Sequence, residues 1–79
     1  MNYTVRLYER DENTQRFWPA GQYTYDSLKK AIRSLEYYTT NEGGICGLVT
    51  TTGFIAAYKG FSEREALRVS PVKLLAVKS

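Results

Sequence analysis

The hydrophobic period of this chain changes along its length, and that change limits the folds open to it. Residues 3 to 9, "YTVRLYE", alternate with period two, placing Tyr3, Val5 and Leu7 on one side and Thr4, Arg6 and Tyr8 on the other. That is the signature of a half-buried strand. In "TYDSLKKAIRSLEYYT", Tyr25, Leu28, Ala31, Ile32, Leu35 and Tyr38 recur at spacings of three and four, which lines them up on one helical face. Thr24 is the expected N-cap, with Asp26 in the first turn, where the helix dipole favours a negative charge. Thr39, Thr40, Asn41 and the glycines at 43 and 44 are expected to end the helix.

The remaining segments read as strands and turns. "RDENT" breaks the first strand with Asp11 and Asn13, and residues 15 to 23, "QRFWPAGQY", return as a second strand interrupted at Pro19. "ICGLVT" and "GFIAAYK" flank Thr-Thr-Gly, where Gly53 can take the left-handed conformation of a three-residue hairpin with a bulge. Ser62 and Glu65 stand at capping-box spacing in "FSEREALR", so a short helix is expected before Ser70-Pro71, and "VKLLAVK" reads as a last strand.

Strands joined by tight turns pair antiparallel, and one apolar helix face can cover one face of their sheet. The expected fold is α+β, with a four- to five-stranded, mostly antiparallel sheet curled around one main helix in the order β-β-α-β-β-short α-β. With 79 residues, one domain spanning 1–79 is expected. A core of this size supplies only about 3 to 5 kcal/mol unless it is stapled.

No disulfide can staple it, because Cys46 is the single cysteine. A lone thiol fits a reducing compartment, so a cytoplasmic protein is expected. Arg6, Glu9, Arg10 and Asp11 interrupt the N-terminal apolar pattern, so neither a signal peptide nor a membrane span is expected, and the chain reads as soluble and unprocessed. Asn2-Tyr3-Thr4 then matches the glycosylation pattern by chance.

The residue inventory argues against catalysis. The chain has no histidine, which removes the commonest general base and metal ligand, and with one cysteine no ordinary zinc site can be built. Cys46 has no imidazole to activate it and sits in an apolar run, so it reads as a buried structural thiol. The eight carboxylates fall mostly at loops and helix ends as solvated charge. "GGICG" lacks the lysine and hydroxyl residue of a phosphate loop and leads into a strand. No catalytic, cofactor or metal residues are expected.

Surface is what remains. A net charge of +3 permits an anionic partner without requiring one and excludes an acidic DNA mimic. Seven tyrosines and one tryptophan are many for such a chain, and amphipathic aromatics either fill cores or anchor interfaces. Lys29, Lys30 and Arg33 lie away from the apolar stripe of the helix, with Tyr37 one turn beyond Arg33, which makes this face a candidate recognition patch. A second candidate is the sheet face opposite the helix, where Arg6 and Tyr8 project and Arg16, Tyr58 and Lys73 can join them. Such a face could stack single-stranded bases on tyrosine and hold phosphates with arginine. A small structural module that self-associates through a strand edge is a further reading, as monomer or dimer.

The helix carrying "SLKKAIRSL", followed by the Gly-centred hairpin "TTTGFIAAYKG", resembles small phage or mobile-element proteins, in particular anti-CRISPR inhibitors of type I systems. The likeness covers roughly residues 24 to 60 and includes Ala57-Tyr58-Lys59 on the second hairpin strand. It implies a non-enzymatic inhibitor in the host cytoplasm that docks on a crRNA-guided surveillance complex and perturbs target-DNA binding. The long first loop and "SEREALRVSPVKLLAVKS" depart from that pattern.

Overall fold

The computed structural model describes residues 2–11, 13–41 and 44–70. They form an α+β domain with the elements β1 (Tyr3–Arg10), β2 (Phe17–Tyr25), α1 (Leu28–Asn41), β3 (Ile45–Thr51), β4 (Phe54–Lys59) and α2 (Glu63–Val69). The strands make one antiparallel sheet in the order β2-β1-β3-β4. The expected strand at "VKLLAVK" lies outside the described residues. No helix among the described residues is long and apolar enough to cross a membrane.

The period-two reading of β1 holds. Val5 and Leu7 are buried with Ala31 and Leu35 of α1 and Val49 of β3. Gly47 lets α1 approach closely, because a Cβ there would lie 2.9 Å from both Leu35 Cδ1 and Leu7 Cδ2. Burying these side chains is the main source of stability, at roughly 1.5 to 3 kcal/mol for each fully buried aliphatic residue.

The start of α1 differs from expectation. Thr24 and Tyr25 belong to β2, paired with Thr4 and Tyr3, so Thr24 cannot cap the helix. Ser27 takes that place: its Oγ accepts from Lys30 N at 3.4 Å and its carbonyl from Ala31 N at 3.0 Å. Asp26 precedes the first turn and pairs with Lys30 at 3.2 Å. Ladder pairing with β1 outweighs the local capping preference of Thr24, because strand hydrogen bonds and the packing of Tyr25 are gained together. Tyr25 still reaches the helix through its hydroxyl, 2.9 Å from Ser34 Oγ.

β2 runs through Pro19 without a break. The strand is an edge of the described sheet, where proline is tolerated, and a register shift opposite Leu7 and Tyr8 absorbs Ala20. The β3–β4 turn is tighter than expected. Thr51 pairs with Phe54, leaving the two residues Thr52 and Gly53, and Gly53 has φ +86°. The bulge lies further along, between Val49 and Thr50.

α2 begins with the expected capping box: Ser62 Oγ accepts from Glu65 N at 3.2 Å and Glu65 Oε1 from Ser62 N at 2.9 Å. It covers the sheet face that α1 leaves open. Phe61 and Ala66 are buried there with Cys46 and Leu48, flanked by Tyr8, Phe17, Ile55 and Val69. The sheet therefore has an apolar cluster on each face.

Candidate protein-interaction surfaces

The exposed side of α1 presents the expected cations and tyrosine together. Lys29, Lys30 and Arg33 are exposed, and Tyr37 is 62% exposed. Tyr37 is also the outer end of an aromatic row. Its ring meets Tyr38 edge-on at 5.2 Å, and Tyr38 stacks on Tyr23 of β2 at 5.2 Å with the planes 5° apart. Hydrogen bonding to Tyr23, followed by repulsion between the two phenolates, raises the Tyr38 pKa above its ordinary value. The row ties α1 to an edge strand and leaves an aromatic surface beside Arg33.

The opposite sheet face is divided. Across it run Gln22, Arg6, Leu48 and Tyr58 in one register row. Arg6 is half-buried and donates to Gln22 Oε1 at 3.0 Å. Arg16 is exposed in the β1–β2 connection, and Lys73 lies outside the described residues. Tyr8 lies beneath α2: its ring meets Phe61 edge-on at 5.8 Å and its hydroxyl donates to Val69 O at 3.4 Å. Burial raises its pKa. The alternation of β1 put Tyr8 on this face correctly, but which helix would cover that face is a long-range outcome that alternation does not encode.

Tyr58 opens onto a surface that sequence reasoning did not assemble. Between β4 and α2 lies a groove of about 450 Å³ lined by Phe54, Ile55, Tyr58, Glu63, Ala66 and Leu67. Three of its apolar residues are exposed: Phe54 at 52%, Tyr58 at 44% and Leu67 at 43%. Among the described residues β4 is an edge strand, so its outward N–H and C=O groups have no ladder partner. An apolar groove beside an open edge is the geometry that receives an extended peptide by strand addition. "FIAAYK" carried a signal for it in its exposed-length apolar residues, but α2 supplies the other wall.

The second structural cation was also not singled out. Arg10 Nη2 contacts Glu65 Oε1 at 3.1 Å and Gly60 O at 2.8 Å, and the guanidinium carbon lies 5.1 Å from the Phe17 ring centre. Cys46 is buried, 3.6 Å from Tyr8 O through its sulfur, and burial raises its pKa. It is a packing residue in this fold.

No protein-family model, curated protein or solved structure matches the chain.

Proposed function

We propose that the chain acts by binding a protein rather than by catalysis. In this reading it is an inhibitor of the kind its sequence resembles, acting in the cytoplasm of a host, docking on a crRNA-guided surveillance complex and interfering with target-DNA binding. The observation that carries the protein-binding reading is the β4–α2 groove, where Phe54, Tyr58 and Leu67 stay exposed along a strand edge that is unpaired among the described residues. Its occupant is an extended segment of the partner, held by backbone hydrogen bonds to β4 and by an apolar residue in the groove. The basic and aromatic face of α1, with Lys29, Lys30, Arg33 and Tyr37, supplies a second contact of the type rich in interface energy.

Retention on purified type I surveillance complexes tests this. The wild-type chain is expected to be retained and to reduce target-DNA binding, and Tyr58→Glu with Leu67→Glu is expected to abolish both. Absence of retention together with unchanged target binding rejects the inhibitor assignment. Nucleic-acid binding by base stacking is less well supported, since the Tyr8 ring and hydroxyl are engaged by Phe61 and Val69. Binding whose affinity falls steeply with salt would favour that alternative.

A further inference from the structure

The end of the aromatic row borders a second, more polar pocket that is open to solvent. It measures about 200 Å³ and is lined by Leu7, Glu9, Ala20, Tyr23, Tyr38 and Ile45. Trp18, Glu9 and Ile45 form one register row, so the carboxylate sits on the α1 side of the sheet, beyond Leu7. Trp18 Nε1 donates to Glu9 Oε2 at 2.9 Å, which orients the carboxylate. Glu9 has no ion-pair partner among the described residues, where Arg10 is taken by Glu65 and Lys30 by Asp26.

Glu9 is exposed, and its carboxylate, oriented by the indole in a pocket bordered by two tyrosines, is a local acceptor for a cation despite the net charge of +3. Resting on the protein-binding reading above, we propose that this cavity receives one lysine or arginine side chain of the partner protein. Glu9 Oε1 accepts the charge-assisted hydrogen bond, and the stacked Tyr23–Tyr38 pair borders the cation or its alkyl stem on one side. Charge-assisted bonds are roughly twice as strong as neutral ones, and a cation beside an aromatic face is further attracted by the ring quadrupole. A pocket of about 200 Å³ accommodates one side-chain end. Because Oε2 is already engaged by Trp18, a two-pronged arginine clamp is not required, and ammonium and guanidinium share the same chemistry here.

Trp18 is the only tryptophan, so its indole N–H resonance reports on Glu9 directly. The purified chain is titrated with n-butylguanidinium, n-butylammonium and uncharged n-butanol while that resonance and the Tyr23 and Tyr38 ring signals are followed by NMR. A saturable shift with one or both cations and none with butanol is expected, and the stronger of the two identifies arginine or lysine as the source. Glu9→Gln, which keeps size and shape, should weaken binding at least about tenfold, corresponding to about 1.4 kcal/mol. Tyr23→Leu, which keeps apolar bulk at an exposed position, should weaken it severalfold. An unmoved Trp18 signal, an equal response to butanol, or unchanged affinity in Glu9→Gln overturns the proposal. Retention of the chain by a surveillance complex without uptake of either cation removes only this cavity from the account. Uptake without retention removes only the inhibitor assignment.

Discussion

Arg10 Nη2 stands 3.1 Å from Glu65 Oε1, and this contact joins the end of β1 to the first turn of α2 across 55 residues of sequence. The same Glu65 oxygen accepts from Ser62 N at 2.9 Å, so helix cap and ion pair share one atom. With Gly60 O also bound to Arg10, the start of α2 is held to the sheet at two points.

Hydrogen bonds from Ser62, and then the charges of Arg10 and Arg68, hold the Glu65 pKa below its ordinary value of 4.5. A carboxyl group with a lowered folded-state pKa contributes stability that is present above the unfolded value and is lost as pH falls through the folded one. The stability of the wild type, measured by denaturant unfolding, should therefore fall as pH drops below about 4.5, and Glu65→Gln should flatten that part of the profile. Ser62→Ala removes the reciprocal cap and is expected to cost about 1 kcal/mol at neutral pH.

Two glycines should resist substitution for different reasons. Gly47→Ala places a methyl group 2.9 Å from Leu7 and Leu35 and should cost about 1 to 3 kcal/mol through overpacking. Gly60 combines φ +84° with a Cβ position 2.5 Å from Cys46 Cβ, so Gly60→Ala should destabilise more than Gly53→Ala, where φ is +86° but the space is open. Thermal unfolding of the three variants ranks them.

The Cys46 thiol is 3% exposed and its pKa is raised. Modification by an aromatic disulfide reagent at neutral pH should be slow in the native chain and rapid in denaturant, because the thiolate is the reactive form and burial suppresses it. Fast labelling of native protein would contradict the packing of Cys46 under Phe61.

Tyr8 and Tyr37 should behave oppositely. Tyr8→Phe loses the hydrogen bond to Val69 O and should cost about 0.5 to 1.5 kcal/mol. Since burial raises the Tyr8 pKa above 10.0, the associated stability should be complete below that pH and be lost as pH rises through the folded-state value. Arg33→Glu with Tyr37→Ala lies on exposed surface and should change stability by no more than about 0.5 kcal/mol. Matched denaturation curves check both, and a large loss in the α1 variant would mean that this face is structural.

Much of the candidate interaction surface was legible in advance. Helical spacing put Lys29, Lys30, Arg33 and Tyr37 on the solvent side of α1, and all are exposed. The β4–α2 groove was not legible as a unit, because its walls are separated by a turn whose direction no local pattern encodes. The same holds for the cavity at Glu9. It depends on Trp18 and Ile45 arriving in one row with Glu9, and on Tyr38 of α1 meeting Tyr23 of β2.

By itself the sequence determined the elements with strong short-range signals: the alternation of β1, the apolar stripe of α1, the left-handed Gly53 and the Ser62–Glu65 cap of α2. Each depends on contacts within a few residues, where periodicity and capping chemistry act directly. Only the tertiary structure decided that Thr24 and Tyr25 extend β2, that α2 covers the face carrying Tyr8, and that Arg10 is tied to Glu65. Those outcomes follow from register and packing between segments far apart in the chain. There, the burial gained by joining two surfaces outweighs the preference of any one residue.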